Sequence, residues 1–256
     1  MQKISALLIT YNEEKHIERF LEDADYADEI IIVDSFSEDR TVEIAKLNPK
    51  VKLFLKEFDN FSDQRNFALS KASHEWVTFF DADEHITENL KKELISITNL
   101  KNPLDAYFVY RKSFFRNKPI KFSGFQSDKV IRLFKKSNCL YRSDYLVHEV
   151  LNINGQIGKL NNKLEHYTFY SIENYQHKLA SYSKLRAKEL ALKKIKPNAY
   201  HFIVKPLYRF VNHYIIRFGF LDGREGYIIS RLHAESVYKR YVFLKQIYEE
   251  QSSENN

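Results

Sequence analysis

The chain has 256 residues, a hydrophobic content of 44% and a charged content of 29%, which are ordinary values for a globular protein with a sizeable core. One cysteine, Cys139, excludes an internal disulfide, and no apolar run of 18 or more residues is present to form a membrane-spanning helix. The N-terminus shows no secretory signal pattern, so we expect a reducing compartment. Residues 186–245 hold 13 Lys and Arg against 4 Asp and Glu, whereas the rest holds 27 against 30. This basic C-terminal quarter favours an anionic partner, either a membrane face or nucleic acid.

Predicted strands and helices alternate through the first 80 residues. Short runs of apolar or β-favouring side chains predict buried strands at residues 4–9, 29–33, 51–55 and 75–80. Helices are predicted between them, starting near Glu14, over 38–47 with Ser37 as N-cap, and over 61–73. The alternation predicts an α/β fold with a mostly parallel sheet and right-handed crossovers.

Polar residues follow three of these strands at the point where each strand should end. They lie at positions 10–13, 34–37 and 81–84. Ligands of open parallel sheets bind beyond the carboxyl ends of the strands, so the three clusters predict one shared site. The chain has six glycines and no GxGxxG or GxxxxGK[ST] pattern. A bound diphosphate would therefore have to be neutralised by a metal and basic side chains.

The third cluster contains two aspartates one residue apart, Asp81 and Asp83. Extended backbone would place both carboxylates on one side, where they repel each other unless a cation lies between them. Mg²⁺ and Mn²⁺ prefer such oxygen ligands together with phosphate oxygens of a substrate. The functional interpretation is a metal–diphosphate site, and the alternative is a polar turn before the next helix.

The second half of the chain is less regular before it becomes helical. A helix is predicted over 88–100, followed by short strands at 106–110, 130–134 and 139–142. Lys129 and Arg132 are expected to form an exposed basic edge, and contact with phosphate groups is the alternative. Further helices are predicted over 171–194, 206–218 and 225–246, with a frayed end over 252–256. The predicted domains are a catalytic domain over 1–170 and a helical C-terminal region over 171–250, packed on it and facing the membrane.

The motifs of the chain, taken in order, resemble those of inverting family 2 glycosyltransferases of the GT-A fold, especially the small bacterial enzymes that extend the lipopolysaccharide or lipooligosaccharide core. The resemblance spans residues 4 to about 226. It is carried by Leu8-Ile9-Thr10-Tyr11-Asn12-Glu13-Glu14, Ile32-Val33-Asp34-Ser35, Asp63-Gln64-Arg65-Asn66-Phe67-Ala68, Phe80-Asp81-Ala82-Asp83-Glu84, Val147-His148-Glu149 and Leu221-Asp222-Gly223-Arg224-Glu225-Gly226. It implies a Rossmann-like sheet flanked by helices, with a helical C-terminal extension.

The resemblance also implies which residues bind the nucleotide. Thr10, Tyr11 and Glu13 would line the nucleotide pocket, with Tyr11 packing on the base. Asp34 would accept a hydrogen bond from the base, expected to be uracil, and Ser35 would lie beside it.

The diphosphate and metal residues follow from the same resemblance. Arg65 would face the diphosphate or hold Asp81. Asp81, with Ala82 beside it, would contact the ribose or the outer ligands of the metal. Asp83 would ligate a Mg²⁺ or Mn²⁺ ion, and His166 matches a histidine that completes the metal site. A core histidine in a strand is the alternative for His166, and a helix-surface ion pair is the alternative for Arg65.

Catalysis is assigned to Glu149, which matches the acid of the family's catalytic motif and would act as general base. The motif here is His-Glu rather than the usual Glu-Asp, and the usual glycine-rich acceptor loop reduces to Ser123-Gly124-Phe125. The alternative for Glu149 is a surface or salt-bridged glutamate.

The implied function is metal-dependent transfer of a hexose, such as glucose, from a UDP-sugar to a lipid-linked saccharide such as the lipopolysaccharide core. We expect a cytoplasmic enzyme that lies on the inner face of the inner membrane, contacts anionic lipid through residues near 193–245 and binds no nucleic acid. Two alternatives remain: a nucleic-acid-binding protein that uses the basic C-terminal quarter, and a nucleotidyltransferase, which also uses paired carboxylates and metal.

Overall fold

The structure, a computed structural model, describes residues 1–142, 151–169 and 171–254 of the chain. These residues form two compact units. The first comprises 1–112 and 129–167, and the second comprises 113–128 and the residues from 168 onward. Within the described ranges, no helix has both the length and the apolar character needed to cross a bilayer.

The first unit is organised around parallel strands that alternate with helices. The strands are β1 (Ile4–Thr10), β2 (Glu29–Asp34), β3 (Val51–Leu55) and β4 (Trp76–Phe79), and the helices between them are α1 (Glu14–Asp23), α2 (Thr41–Ala45) and α3 (Phe61–Lys71). β1 pairs in parallel with β2 on one side and β4 on the other, and β3 pairs with β2. The predicted α/β alternation is confirmed.

Both faces of this sheet are buried, because the strand side chains alternate between two apolar clusters. Leu8 and Ile32 pack in the cluster that contains α1, and Leu7 and Val33 pack in the cluster that contains α3. Fully burying a side chain of this size contributes about 1.5–3 kcal/mol. These contacts therefore fix the strand register and, with it, the positions of the polar residues at the strand ends.

The sheet continues beyond β4 with antiparallel strands. β8 (Lys129–Lys135) pairs with β4, and β6 (Ala106–Phe115) pairs with β8. The remaining elements up to residue 169 are β5 (Glu84–His85), α4 (Glu88–Thr98), β7 (Lys118–Ile120), β9 (Cys139–Tyr141), β10 (Leu151–Ile153), β11 (Ile157–Lys159) and β12 (Leu164–Phe169), of which β7 belongs to the second unit. The strand order is β3-β2-β1-β4-β8-β6-β12-β5, so the sheet is mixed rather than purely parallel.

The prediction that Ser37 caps the second helix is wrong. α2 begins only at Thr41, after Arg40, and no side chain caps it. The backbone N–H and hydroxyl of Ser37 instead donate to the Asp34 carboxylate, at 2.7 and 2.5 Å. Ser37 is thus used to hold the end of β2 rather than the start of a helix.

The second unit is mainly helical. Its helices are α5 (Ile172–Leu192), α6 (Ala199–Phe202), α7 (Val204–Val211) and α8 (Gly223–Glu254), with a π-helical turn at Asn212–Ile216 after α7. α5 and α8 pack together through two apolar clusters, one around Tyr175 and Ile229 and one around Ala187 and Tyr241. α8 reaches Glu254, so the frayed end predicted from residue 252 is wrong for 252–254; residues 255 and 256 lie outside the described residues.

Candidate active site

The ends of β1 and β2 are joined by a buried hydrogen-bond cluster around Asp34. Thr10 pairs with Asp34 in the parallel register, and its hydroxyl donates to the carboxylate at 2.8 Å. With the two bonds from Ser37, the Asp34 carboxylate accepts three hydrogen bonds from its own chain and is fully buried. A carboxylate can accept about four hydrogen bonds, so one acceptor position remains for the hydrogen bond from a base that the resemblance implies for Asp34. In this structure Asp34 positions the two loops around it.

The other predicted nucleotide residues lie on the same edge of the sheet. Ser35 donates its N–H to the Thr10 carbonyl at 2.9 Å, and its hydroxyl accepts from Gln64 of α3 at 2.9 Å. Tyr11 directly follows β1 and is 57% exposed, so its ring is free to pack on a base. The Glu13 carboxylate contacts the His16 ring at 2.7 Å.

Beyond the end of β4 lies a network of three arginines and two carboxylates. Arg65 donates to one oxygen of Asp81 at 2.7 Å, and Arg132 donates to the other. Arg132 also bonds the buried Glu84 carboxylate at 2.8 Å, as does Arg111 at 2.9 Å through Nε. Arg111 approaches Asp81 at 3.6 Å. The network packs three guanidinium groups against two carboxylates.

The network sets the protonation of Asp81. Burial would raise the pKa of Asp81, but the charges of Arg132, Arg65 and Arg111 outweigh it and hold that pKa well below its usual range. Burial would likewise lower the pKa of Arg132, yet Asp81 and Glu84 raise it further above its already high value. These residues remain charged at any pH that the protein encounters.

The two aspartates of the Asp81-Ala82-Asp83 sequence do not share the extended geometry predicted for them. β4 ends at Phe79, and Ala82 and Asp83 form a turn before β5. The prediction that a cation must separate the two carboxylates is therefore wrong for Asp81, because arginines supply its counter-charge. Ala82 packs beside the cluster of the α1 face.

Asp83 and His166 are brought together, as the metal assignment requires. Asp83 Oδ2 lies 3.4 Å from His166 Nε2, and the Asp83 carbonyl accepts from the Tyr167 backbone N–H at 3.0 Å. One carboxylate oxygen and one imidazole nitrogen at this separation can both ligate a single cation. No group of three or more ligating side chains occurs within the described ranges, so the remaining ligands of such an ion would come from substrate and water.

Sequence reasoning missed Glu84 and Arg111 and misjudged Arg132, which was expected at an exposed basic edge. Arg132 is buried in β8, whereas Lys129 at the start of that strand is exposed and lies over the Phe108 ring. The signal was present: a charged residue inside an apolar strand run requires a buried partner of opposite charge. Glu149 and its neighbour His148 lie outside the described residues.

The Ser123-Gly124 loop and the Asp222 motif, both in the second unit, bind each other. The Asp222 carboxylate accepts the backbone N–H groups of Lys121 and Phe122 at 3.0 and 2.9 Å. A Cβ atom on Gly219 would lie 2.6 Å from the Ser123 hydroxyl and 2.6 Å from a backbone carbonyl, so only glycine fits there. Asp222 therefore fixes the loop that the sequence assigns to the acceptor.

Comparisons with known proteins show which family the chain resembles. The sequence profile described as glycosyl transferase family 2 matches residues 5–144. An uncharacterized glycosyltransferase of Rickettsia conorii is 31% identical, over 96% of this chain and 90% of its own. The lipopolysaccharide core biosynthesis glycosyltransferase LpsC of Rhizobium meliloti is 23% identical over 93% of each chain. The structure of S. aureus TarS 1–349 in complex with UDP has a TM-score of 0.49 at 17% identity, covering 96% of this chain and 91% of that chain.

Proposed function

The chain belongs to glycosyltransferase family 2, and we propose that it transfers a hexose, such as glucose, from a UDP-sugar to a lipid-linked saccharide with inversion at the anomeric carbon. Its mostly parallel sheet flanked by helices is the GT-A fold. The observation that carries the proposal is the Asp83–His166 pair at the end of the sheet that also holds the arginine network. The similarity to LpsC supports a saccharide of the lipopolysaccharide core as acceptor.

Asp83 and His166 would hold a Mg²⁺ or Mn²⁺ ion, with diphosphate oxygens and water as the other ligands. When bound, the cation supplies Lewis-acid stabilisation of the negative charge that develops on the departing UDP. The arginine network assists this stabilisation, because its guanidinium groups are fixed in place before substrate arrives.

We assign the general base to Glu149 on the strength of the Val147-His148-Glu149 motif alone. Its carboxylate accepts the proton of the acceptor hydroxyl as that oxygen forms a bond to the anomeric carbon. The bond between the anomeric carbon and the phosphate oxygen breaks on the opposite face, and its electron pair leaves with UDP. A single displacement of this kind inverts the anomeric configuration.

A donor screen tests this function. Each UDP-sugar, with GDP-mannose as control, is assayed for hydrolysis and for protection against thermal unfolding, with Mn²⁺, Mg²⁺ or EDTA. We expect one UDP-sugar to be hydrolysed in a metal-dependent manner, Asp83→Asn to lose this activity, and the exposed control Asp59→Asn to retain it. Metal-independent hydrolysis, or activity retained in Asp83→Asn, would contradict the proposal. No specific observation favours nucleic-acid binding or nucleotidyl transfer.

We further propose that the enzyme works on the inner face of the inner membrane and contacts it through an apolar ridge on the second unit. The ridge consists of exposed side chains on α6, α7 and the turns after them: Ile203, Val204, Leu207, Tyr208, Ile215, Ile216, Phe218 and Leu221. Residues 190–221 contain six Lys and Arg and no Asp or Glu. Aliphatic side chains suit a bilayer rather than stacked bases, and the uniform positive charge opposes a second copy of the chain.

Vesicle co-sedimentation tests the ridge. The full chain should bind vesicles that contain phosphatidylglycerol more strongly than pure phosphatidylcholine vesicles, and the double variant Leu207→Asp/Ile216→Asp should lose this binding. Leu47→Asp changes an even more exposed leucine of the first unit and serves as control. Equal binding to both lipids, or equal loss in the control, would reject membrane attachment by this surface.

A further inference from the structure

Basic side chains line the contact between α7 and α8 in the second unit. Arg209, His213 and Arg217 recur every four residues along α7 and the turn after it, and therefore share one face. The ring of His213 stacks on that of His233 of α8, with centroids 4.3 Å apart, and Arg209 Nη1 lies 3.3 Å from His213 Nε2. Arg240 follows two turns after His233 on α8. We call these five residues the basic seam.

Among the described residues, the charge of the Glu189 carboxylate acts on Arg240 of the basic seam, but Glu189 is paired with Arg186. Neither Arg209, Arg217 nor Arg240 forms an ion pair in that part of the chain, and Arg240 Nε is buried there without a hydrogen-bond partner. The acidic groups of the second unit that lie nearest in sequence are already used. Asp222 binds backbone N–H groups, Glu225 pairs with Lys118 at 2.8 Å, and Glu235 pairs with Lys239 at 2.7 Å.

The two histidines of the seam are neutral. Burial, and then the charges of the neighbouring basic groups, lower the pKa of His213 to about 4 and that of His233 to about 3. His213 Nδ1 donates to the Ser123 carbonyl at 2.8 Å, so its Nε2 faces the Arg209 guanidinium as an acceptor. From α5, Tyr175 binds His233 Nε2 at 2.7 Å, and Arg186 lies near Arg240 but is paired with Glu189.

We propose that the basic seam is a binding site for a phosphate group, with Arg209, Arg217 and Arg240 as its charged ligands and His213 as a further hydrogen-bond donor once it is protonated. Guanidinium groups present N–H pairs that match phosphate oxygens, and an anion offsets the repulsion among the half-buried Arg209 and Arg240 and the exposed Arg217. The phosphate could belong to a phosphorylated saccharide or to a phospholipid headgroup. Only the identification of these two sources rests on the proposed function, in which the acceptor is lipid-linked.

The test uses the full chain and inorganic phosphate as probe, titrated at constant ionic strength against NaCl. Binding is followed by the thermal unfolding midpoint and by the NMR signals of the histidine Cε1 protons. We expect saturable stabilisation, with shifts of the His213 and His233 signals and none of His16 or His74. Arg209→Gln and Arg240→Gln should each weaken phosphate binding at least tenfold, and Arg209→Lys should restore part of it. Arg231→Gln removes an exposed arginine of α8 and should bind as the wild type does.

Two further arms identify the source of the phosphate. If mannose 6-phosphate competes with inorganic phosphate, the seam takes a phosphorylated saccharide; if only phosphatidylglycerol vesicles compete, it takes a headgroup. Stabilisation that does not saturate, or an equal loss in Arg231→Gln, would overturn the proposal. Binding of UDP with Mn²⁺ should be unchanged in Arg209→Gln, so failure of the seam and failure of the transferase function are separable.

Discussion

The arginines of the two units differ in whether they form ion pairs with carboxylates. In the first unit, Arg65, Arg111 and Arg132 are packed against Asp81 and Glu84 in a network that supplies its own counter-charges. In the second unit, Arg209 lies beside two neutral histidines, and neither Arg209 nor Arg240 forms an ion pair among the described residues. A paired network fixes geometry before a ligand arrives, whereas an unpaired cluster is stabilised by an anion from outside. The comparison therefore separates two roles of positive charge: the paired arginines hold the candidate site in shape, and the unpaired ones form the phosphate site that we propose.

Removing one arginine from each region is the strongest test of whether the two regions differ. Arg132→Gln leaves the buried Glu84 carboxylate short of a partner and should lower the free energy of unfolding by about 3–5 kcal/mol. Arg209→Gln should change it by no more than about 0.5 kcal/mol, because it breaks no ion pair. Urea unfolding followed by circular dichroism measures both. Equal losses in the two variants would show that the regions do not differ as described.

Acid should destabilise the seam without any mutation. The folded pKa values of His213 and His233, about 4 and 3, lie below the ordinary 6.5, so the unfolded chain binds more protons as the pH falls below 6.5. Stability should therefore be full above pH 6.5 and fall by up to about 1.4 kcal/mol per pH unit for each histidine down to about pH 4. Urea unfolding from pH 7.5 to 4.5 measures the slope. His213→Gln should reduce it, and an unchanged slope would refute the assignment.

Asp222 shows what a carboxylate does in the second unit when it is present. Asp222→Asn keeps the shape but turns one acceptor into a donor that faces backbone N–H groups. We expect a loss of about 1–3 kcal/mol in unfolding free energy and faster hydrogen exchange at the amides of Lys121 and Phe122. Asp59→Asn should leave that exchange unchanged. Protection that persists in Asp222→Asn would remove Asp222 as the residue that holds this loop.

The smallest expected effect comes from removing the hydrogen bond between Tyr175 of α5 and His233 of the basic seam. Tyr175→Phe removes the hydroxyl that contacts His233 and should cost about 1 kcal/mol. It should also shift the His233 Cε1 proton signal while leaving that of His16 in place. An unaltered His233 signal would mean that the contact is not maintained in solution.

The elements that depend on local pattern were predictable from sequence. The strands β1, β2 and β3 lie where the sequence has apolar runs. The carboxyl ends of β1 and β2 place Thr10 beside Asp34, because the two strands pair in parallel. The Asp83–His166 contact, by contrast, joins residues 83 positions apart. It followed from the resemblance to a family and not from any local signal.

The failures have a common physical origin in partners that are distant in sequence. Ser37 looked like an N-cap, but the unsatisfied Asp34 carboxylate three residues earlier competes for its donors. Arg132 was predicted to be exposed because the carboxylates that neutralise it, Asp81 and Glu84, lie about 50 residues earlier, after β4. Over α7 and the π-helical turn after it, the helical period separates an apolar from a polar face, but it does not show that Leu207 and Ile215 are exposed while His213 is buried.

The central claim is that Asp83 holds a divalent cation against the diphosphate of a UDP-sugar, and calorimetric titration of UDP tests it most directly. We predict that UDP binds the wild-type chain at least tenfold more tightly with Mn²⁺ than with EDTA, and that Asp83→Asn removes this difference while Asp59→Asn preserves it. Equal UDP affinity with and without Mn²⁺, or a metal effect that survives in Asp83→Asn, would contradict the account.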